Sequence, residues 1–346
     1  MKIDNFKIDK SSKTFIIAEL SANHNGDINI AIETIKAAKR AGADCIKLQT
    51  YTPDTITIDS NNEDFIIKNT IWKGKKLFDL YKEAQTPWEW HSLLFEEAEK
   101  QGLICFSSPF DKTAVDFLET LNVPAYKIAS FEITDIPLIE YVASKNKPII
   151  ISTGIANIED IELAVAACKR FGNQEIVLLK CTSSYPAPIE EANLSMIKDL
   201  ADRFNVISGL SDHTLGSTVP ILAVAFGAKI IEKHFIIDRS IGGPDASFSM
   251  NEEEFTEMVK AIRQAERAIG EIDYTLTHKQ RKGKDFSRSL YVVSNIEKGQ
   301  VITPNNIKSI RPGFSEHPKH YHKMIGMKAV KSYEVGDRVF LNDLIN

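Results

Sequence analysis

The chain has 346 residues, and its 42 lysine and arginine residues against 47 aspartate and glutamate residues give a formal net charge of −5. With 43% hydrophobic residues it can bury a large core, so the composition excludes a disordered chain, and the acidic balance argues against binding nucleic acid or an anionic membrane. No apolar run approaches the roughly 20 residues of a membrane helix and the first residues are too polar for a signal peptide, so we expect a soluble, cytoplasmic protein.

Short runs rich in β-branched residues alternate along the chain with segments of helical period. We predict eight strands, at 14–19, 44–49, 103–108, 125–130, 148–152, 175–182, 205–212 and 228–234. The intervening segments have apolar residues three and four positions apart, which predicts crossover helices, for example at 28–39, 88–100, 160–171 and 217–225.

Strands that alternate with helices indicate a parallel sheet, and eight such units over about 270 residues have the size of a (β/α)8 TIM barrel. A doubly wound open sheet is the alternative, but the segment from Glu19 to Gly26 has a single glycine and lacks the phosphate-binding turn of that fold. The long segment 51–85, between the second strand and the next helix, is predicted to cover the C-terminal mouth of the barrel.

The composition changes after Gly270. We predict a catalytic barrel over residues 1–275, a basic linker over 276–285 and a small β-rich domain over 286–346. The last region contains a repeat, because the segment from Glu297 to Ile307 recurs 37 residues later from Glu334 to Leu344. A module of about 60 residues is marginal alone, so we expect it to dock on the barrel or on a neighbouring subunit; the alternative is a solvated appendage that adds stability.

The predicted strand ends are polar, and the C-terminal face of a barrel carries its active site. His213 and His234 lie 21 residues apart, about one β/α repeat, so they should converge on neighbouring strand ends. This pair predicts a metal site, although a single histidine there could be a hydrogen-bonded structural residue. No cysteine is close in sequence and oxygen ligands would complete the site, which favours Mn²⁺, with Mg²⁺ or Co²⁺ as alternatives, over structural zinc. We expect Glu232 to orient one imidazole.

Two lysines on predicted strands, Lys47 and Lys127, have apolar neighbours and should not remain unpaired. Together with serine hydroxyls they form a ring of donors suited to a small anion that carries phosphate and carboxylate groups. The serines of this ring are Ser108, Ser130, Ser152 and Ser211. A serine at a strand end can instead cap a helix, and either lysine could form a Schiff base as in an aldolase.

Eight motifs, in chain order, resemble those of the sialic acid synthase family. They are Ile17-Ala-Glu-Leu-Ser-Ala-Asn-His-Asn-Gly26, Ile46-Lys-Leu-Gln-Thr50, Ser107-Ser-Pro-Phe110, Tyr126-Lys-Ile-Ala-Ser-Phe-Glu132, Ser152-Thr-Gly154, Gly209-Leu-Ser-Asp-His-Thr214, Glu232-Lys-His-Phe235 and Gly243-Pro-Asp245. The resemblance covers essentially the whole chain, and the C-terminal region resembles the antifreeze-like (SAF) domain of that family.

Within this family, three segments resemble the branch that uses a 6-deoxy diacetamido sugar. They are the Glu-Leu-Ser-Ala-Asn-His opening, Gln49-Thr-Tyr-Thr-Pro-Asp54 and Ser130-Phe-Glu132. Phe131 stands where the sialic acid branch has glycine, and an apolar side chain beside the sugar fits a methyl group. The alternative is a branch that uses N-acetylmannosamine or a diacetamido-mannose.

The resemblance implies a metal-dependent condensation of phosphoenolpyruvate with the open-chain aldehyde of an N-acylated amino sugar, giving a nine-carbon 2-keto acid and phosphate. It assigns proton transfer or charge stabilisation to Glu19, the metal to His213 and His234, and the sugar to Gln49, Glu132, Tyr185 and Asp245. It assigns phosphoenolpyruvate to Lys47, Ser108, Lys127, Ser130, Ser152, Ser183 and Ser211. Ser183 departs from the sialic acid branch, which has asparagine there.

Arg311, in the Arg311-Pro-Gly313 turn, resembles the family's arginine that reaches the N-acyl group of the sugar from the partner chain. The resemblance therefore implies a domain-swapped homodimer. Two other classes of function stay open: a Schiff-base aldolase with Lys127 as the nucleophile, and a non-catalytic carbohydrate- or ice-binding protein built around the C-terminal module.

Overall fold

The computed structural model describes residues 1–68 and 70–346, which form two compact units, Met1–Gly270 and Glu271–Asn346. In the described part of the first unit, eight parallel strands close into a barrel in which each strand pairs with the next along the chain. The strands are β1 (Phe15–Glu19), β2 (Cys45–Thr50), β3 (Ile104–Pro109), β4 (Tyr126–Ile128), β5 (Ile149–Ser152), β6 (Ile176–Cys181), β7 (Ile207–Asp212) and β8 (Ile230–His234). The closed barrel confirms the predicted fold and excludes the open sheet.

The helices of the first unit are α1 (Ile28–Arg40), α2 (Pro53–Ile56), α3 (Leu77–Ala84), α4 (His91–Lys100), α5 (Lys112–Thr120), α6 (Ile136–Ala143), α7 (Ile158–Arg170), α8 (Ser195–Phe204), α9 (Thr218–Ala225) and α10 (Glu252–Ile269). They pack around the outer face of the barrel, except α2 and α3, which belong to the segment between β2 and α4. Side-chain caps fix where several begin; Asn157, for example, caps α7 and accepts a hydrogen bond from the backbone N–H of Asp160. In the described ranges, no helix combines the length and the apolar character needed to cross a membrane.

Strand alternation positions the polar groups of the barrel mouth. Every second side chain of a strand faces the same side of the sheet, so Phe15, Ile17 and Glu19 of β1 share the interior face, as do Ile230 and Glu232 of β8. Of these residues, Phe15, Ile17 and Ile230 belong to one buried apolar cluster. Each inward row therefore starts apolar and ends polar at its C-terminal end, and the apolar layer beneath the mouth keeps water away from the charged groups above it.

The predicted strand boundaries differ from the observed ones by one or two residues, and two of these differences have a clear local reason. The strand predicted at 125–130 ends at Ile128, because Ser130 begins a 3₁₀ turn, Ser130–Glu132. The strand predicted at 205–212 begins at Ile207. Asn205 instead ends α8 with a φ of 52°, a left-handed conformation that asparagine tolerates better than most residues.

The second unit has its own buried core, which includes Leu290, Ile302 and Leu344. Its strands are β9 (Ser289–Val292), paired with β10 (Ile307–Ile310), and β11 (Lys328–Ala329), paired with β12 (Leu344–Ile345). Its helices are α11 (His278–Gly283) and α12 (Tyr321–Met324).

The internal repeat of the second unit forms two equivalent turns. The Gln300 side chain accepts a hydrogen bond from the backbone N–H of Glu297 at 2.7 Å, and Asp337 accepts the equivalent bond from Glu334 at 2.8 Å. Both turns contain a glycine with positive φ, Gly299 at 84° and its counterpart in the second copy at 94°. The sequence repeat is therefore also a structural repeat.

Candidate active site

A cavity lies at the C-terminal ends of the barrel strands. It is lined by most of the side chains that the sequence predicts for the site: Glu19, Lys47, Gln49, Lys127, Ser130, Ser152, Tyr185, Ser211, His213 and His234, together with Glu232. Ser108, Ser183 and Asp245 contact lining residues. Arg311 belongs to the second unit, where its side chain is exposed.

One side of this cavity, which we call the lysine half, consists of Lys47, Lys127, Glu19 and Glu232. The Lys47 ammonium lies 2.6 Å from Glu19 Oε2 and 3.7 Å from Glu232 Oε1, and Lys127 lies 3.3 Å from Glu232 Oε1. All four residues are buried. The prediction that Glu232 orients an imidazole is wrong: alternation along β8 directs it into the barrel among the lysines, and it accepts a hydrogen bond from Ser211 at 3.1 Å.

The buried charges of the lysine half shift one another's pKa values. Burial raises the pKa of Glu19 to about 6, against the opposing effect of Lys47. Burial would also raise the pKa of Glu232, but Lys127 and Lys47 lower it below its ordinary value. Burial lowers the pKa of Lys127. Glu19 is thus the group in this half that can change protonation state near neutral pH, while Glu232 stays ionised.

Unpaired hydroxyl groups adjoin the lysines. Ser130 Oγ and Ser152 Oγ are buried and have no hydrogen-bond partner among the described residues. A Cβ on Gly154 would lie 2.3 Å from Ser183 Oγ and 2.6 Å from Ser130 Oγ, so the missing side chain of this glycine leaves room for both hydroxyls. Ser108 Oγ accepts a hydrogen bond from Lys47 at 3.3 Å. Hydroxyls without partners beside two ammonium groups can hold a phosphate or carboxylate group.

The other side of the cavity, which we call the histidine half, consists of His213, His234 and Tyr185, with Phe248 packed behind them. The ring centroids of the two histidines are 5.3 Å apart, and the Tyr185 ring lies 4.3 Å from that of His213. Phe248 packs edge-on against His234 at 5.0 Å. Burial, followed by the neighbouring His213, lowers the pKa of His234 well below its ordinary value, so this imidazole is neutral at pH 7.

The two imidazoles fit a labile divalent ion. His213 Nδ1 lies 2.9 Å from the Thr182 carbonyl oxygen, which as an acceptor requires a proton on Nδ1, so in the neutral ring the lone pair is on Nε2. Burial acts to lower the pKa of His213, but the neighbouring Cys181 raises it above its ordinary value. His234 Nδ1 is buried without a hydrogen-bond partner. In residues 1–68 and 70–346, no cluster of three or more histidine, cysteine, aspartate or glutamate side chains is arranged to hold a metal. Water and substrate oxygens would therefore complete the coordination of an ion held here.

Several side chains predicted to face the sugar adjoin the histidine half. Gln49 donates to Glu19 Oε1 and to Ser21 Oγ, each at 2.9 Å, and so connects the two halves. Asp245 accepts a hydrogen bond from Ser21 and lies 3.9 Å from His234 Nδ1. Burial raises the pKa of Asp245 above its usual range.

Glu132 and Phe131, also expected near the sugar, do not line the cavity. Glu132 has one buried, unpartnered carboxylate oxygen, and burial raises its pKa to about 7. Phe131 is 56% exposed. Trp72, from the segment predicted to cover the mouth, stacks obliquely on Tyr185 at 6.0 Å and donates its indole N–H to the Pro244 carbonyl at 3.1 Å. This part of the segment thus lies beside the cavity, as predicted.

The sequence analysis missed three contributors to the site. Cys181 lines the cavity, with its sulfur 3.8 Å from His213 Nδ1, but its place in an apolar run concealed this position. The Thr182 carbonyl, a backbone group, has no signature in the sequence. Gly154 could have been found, because the Ser152-Thr-Gly154 motif places a residue without a side chain directly after a polar strand end.

Comparisons with known proteins identify the family. Residues 34–274 match the sequence profile of the NeuB family, and residues 287–344 match that of the SAF domain. The pseudaminic acid synthase of Campylobacter jejuni subsp. jejuni serotype O:2 is 50% identical over 343 residues, which are 99% of each chain. The pseudaminic acid synthase of Helicobacter pylori is 48% identical over 330 residues, 95% of this chain and 97% of the relative.

A solved structure agrees with these sequence relationships. The crystal structure of the N-acetylneuraminic acid synthetase of Leptospira borgpetersenii serovar Hardjo-bovis, in complex with citrate, matches with a TM-score of 0.74 and 32% identity, over 82% of this chain and 94% of that one. The motifs that line the cavity had already indicated the same group of enzymes. The chain therefore belongs to the NeuB family, the family of the sialic acid synthases, and is a nonulosonic acid synthase with a C-terminal SAF domain.

Proposed function

We propose that this protein is a pseudaminic acid synthase. In this reaction phosphoenolpyruvate, the open-chain aldehyde of 2,4-diacetamido-2,4,6-trideoxy-altrose and water give pseudaminic acid and phosphate. The observation that carries the proposal is one cavity in which paired lysines and unpartnered hydroxyls adjoin two imidazoles, one of which, His234, has an Nδ1 without a hydrogen-bond partner among the described residues. The choice of sugar is supported by the 50% identity to a pseudaminic acid synthase, against 32% to the N-acetylneuraminic acid synthetase of known structure.

The lysine half is the proposed site for phosphoenolpyruvate. Lys47 and Lys127 supply positive charge to the phosphate and carboxylate groups, and the free hydroxyls of Ser130 and Ser152 supply directional hydrogen bonds. Ser108, Ser183 and Ser211 belong to the same set. Because Glu232 partly neutralises both lysines, an arriving anion exchanges one set of charge pairs for another instead of entering a site with unbalanced charge.

The histidine half is the proposed site for the metal and the sugar aldehyde. A divalent ion, Mn²⁺ by preference and otherwise Mg²⁺ or Co²⁺, would be held by His213 and His234 and would supply Lewis-acid polarisation of the aldehyde. Tyr185 lines this region. Gln49 would offer an amide group to the sugar, and Asp245 a carboxylate. Glu132 does not line the cavity and is the least direct of the proposed sugar contacts on the barrel.

Glu19 is the proposed proton carrier. Carbon 3 of phosphoenolpyruvate forms the new bond to the aldehyde carbon, water adds to carbon 2, and the carbon–oxygen bond to phosphate then breaks to leave the 2-keto acid. Water loses two protons as its oxygen becomes the keto group: one converts the aldehyde oxygen into a hydroxyl and the other leaves with phosphate, and a nearby carboxylate can carry a proton between these sites. Glu19 belongs to the lysine half and burial raises its pKa to about 6, so it can accept and return a proton near neutral pH. We expect the reaction in the cytoplasm, where phosphoenolpyruvate is produced.

Arg311 completes the proposed site from a second copy of the chain, in a domain-swapped homodimer. Its turn is held firmly inside the second unit: Ser289 Oγ donates to the Pro312 carbonyl at 2.6 Å, and Gly313 N–H donates to the Asp285 carbonyl at 2.9 Å. The Arg311 guanidinium itself makes no hydrogen bond or ion pair among the described residues and stays free for a ligand. Mixed dimers of two inactive variants, His213→Ala and Arg311→Ala, should recover activity at some sites.

The experiment that tests the proposal measures phosphate release from phosphoenolpyruvate with a panel of sugars. Metal-free protein is prepared with EDTA and assayed with the 6-deoxy diacetamido altrose, a diacetamido-mannose and N-acetylmannosamine, with and without added Mn²⁺. We expect release only with metal, and kcat/KM for the altrose sugar at least ~10²-fold above that for N-acetylmannosamine, since mismatched polar groups stay unpaired in a fitted pocket. Equal use of N-acetylmannosamine, or full activity without metal, would contradict the proposal.

The lowered pKa of Lys127 favours one alternative, a Schiff-base aldolase, because a neutral amine is the nucleophile in that chemistry. Borohydride treatment in the presence of pyruvate separates the two. An aldolase would be trapped as a covalent adduct at Lys127 and would retain its activity in EDTA. A synthase of the proposed kind would show neither property.

A further inference from the structure

A buried ion pair joins the ends of the two strands that carry the histidines. Asp212 of β7 and Lys233 of β8 are direct partners in the parallel register, and Lys233 Nζ lies 2.5 Å from Asp212 Oδ2. The two residues are 3% and 1% exposed, so the pair is shielded from water. Each directly precedes a predicted metal ligand: Asp212 precedes His213 and Lys233 precedes His234.

The pair does not touch the cavity. Successive side chains of a strand point to opposite faces, and Ser211, Glu232 and the two histidines line the cavity. Asp212 and Lys233 therefore lie on the outer face of the barrel, between the sheet and the helices. They cannot contact a substrate bound in the cavity, so any effect on the reaction must pass through the neighbouring histidines.

Both members of the pair form hydrogen bonds with Thr214, the residue that follows His213. The Asp212 carboxylate accepts hydrogen bonds from Thr214 N at 3.0 Å and Thr214 Oγ1 at 2.9 Å, and Lys233 donates to the Thr214 carbonyl. The His213 carbonyl accepts a hydrogen bond from Ala187 N at 2.9 Å. The backbone on both sides of His213 is thus tied to the residue that precedes His234, which couples the positions of the two imidazoles.

Stability alone does not account for a buried charge pair here. Removing two charges from water costs about as much as their attraction returns, and an apolar pair of similar volume is often as stable. What an ion pair adds is a defined geometry. We propose that Asp212 and Lys233 are positioning residues that hold the His213 and His234 imidazoles at the spacing a divalent ion requires. This inference rests on the proposed function, because that function places the ion between the two histidines.

The test measures Mn²⁺ binding without substrate, from the electron paramagnetic resonance signal of free Mn²⁺. In Asp212→Asn we expect the Mn²⁺ dissociation constant to rise about 10- to 100-fold, the usual effect of losing a group that orients metal ligands. The matched control is Asp44→Asn, which removes an ion pair with Arg263 (2.8 Å) just before β2, at the opposite end of the barrel. The control should lose stability and keep its affinity for Mn²⁺.

A double variant separates positioning from folding. Asp212→Asn alone leaves the buried Lys233 ammonium without its carboxylate, whereas Asp212→Asn with Lys233→Met removes both charges and should regain thermal stability. We expect the double variant to fold and still bind Mn²⁺ at least ~10-fold more weakly than the unmodified protein. Wild-type Mn²⁺ affinity in the folded double variant would overturn the inference.

A second readout distinguishes failure of this inference from failure of the metal site. In metal-free protein, nitrogen-15 spectra of the imidazoles report the tautomer and the ordering of His213 and His234. We expect both signals to shift or broaden in the double variant and to stay unchanged in Asp44→Asn. If the unmodified protein binds no Mn²⁺ while these signals respond, the positioning role stands and the metal proposal fails. Unchanged signals in the folded double variant would overturn the positioning role.

Discussion

The two halves of the cavity differ in their electrostatics: one contains paired charges and the other a neutral imidazole. In the lysine half, each buried charge has a partner within 4 Å, so the region is balanced before any ligand arrives. In the histidine half, burial keeps His234 neutral and its Nδ1 has no hydrogen-bond partner among the described residues. The lysine half can therefore exchange its internal ion pairs for pairs with an anion, whereas the histidine half offers nitrogen lone pairs that a cation can use.

The largest effect is expected in the histidine half. His213→Ala or His234→Ala should lower kcat at least ~10⁴-fold, because Lewis-acid stabilisation of the developing charge contributes several kcal/mol. His91→Gln is the matched control: His91 is also fully buried, but it bonds to Thr50 Oγ1 at 2.8 Å and does not line the cavity. It should lower the melting temperature and keep turnover. Near-normal turnover in either alanine variant would show that the reaction does not depend on the histidine half.

The next effect concerns the lysine half. Lys127→Met should lower kcat/KM for phosphoenolpyruvate about 10²- to 10³-fold, because it removes a cation from the anion site and exposes the ligand to Glu232. The KM for the sugar should change far less. Lys147→Met, which breaks a half-buried pair with Glu119 (2.6 Å), is the control and should leave both constants unchanged. An equal rise in both KM values would mean that the two halves do not bind separate substrates.

A smaller effect is expected from displacing the hydroxyl groups of Ser130 and Ser183, which we call the hydroxyl cradle of the lysine half. The φ of Gly154 is not positive, so alanine is compatible with its backbone, but the added Cβ would displace Ser183 Oγ and Ser130 Oγ. Gly154→Ala should lower kcat/KM for phosphoenolpyruvate about 30- to 100-fold, since small displacements of binding groups are costly. Gly283→Ala, where a Cβ meets no atom within 4 Å, should be neutral. Unchanged phosphoenolpyruvate kinetics in Gly154→Ala would exclude the cradle.

The smallest effect concerns Glu132, a carboxylate that lacks the lysine pairing of Glu19 and Glu232. Burial raises its folded pKa to about 7 from an ordinary 4.5, so the folded state favours the protonated form. Its contribution to stability is present below pH 4.5 and is lost as the pH rises to about 7. Glu132→Gln should therefore gain about 1–3 kcal/mol at pH 8 and little at pH 4, by urea unfolding. An equal gain at both pH values would contradict this origin.

Much of the fold follows from local pattern. The alternation of inward-facing residues along each strand, such as Ile17 and Glu19, fixes both the apolar layer and the polar mouth. For the same reason the cavity-lining residues could be predicted from strand ends. The spacing of His213 and His234 predicted their convergence, and their ring centroids are indeed 5.3 Å apart.

Two kinds of contact could not be predicted from the sequence: those between segments that are distant along the chain, and those made by backbone groups. The partners of Glu232 depend on which lysines face it across the barrel, whereas the sequence led us to expect an imidazole as its partner. The Thr182 carbonyl that orients His213 has no side-chain signature. The pairing of Asp212 with Lys233 depends on the exact register of β7 and β8, which only the closed barrel fixes. The role of Arg311 stays a prediction.

The most direct test of the two-part cavity is a crossed binding measurement by titration calorimetry. Phosphoenolpyruvate and Mn²⁺ are titrated separately into the unmodified protein, Lys127→Met and His213→Ala. The account predicts that Lys127→Met binds Mn²⁺ normally and phosphoenolpyruvate at least ~10²-fold more weakly, and that His213→Ala shows the reverse pattern. If both variants lose both ligands while remaining folded, or if Lys127→Met binds phosphoenolpyruvate normally, the cavity is not divided as described.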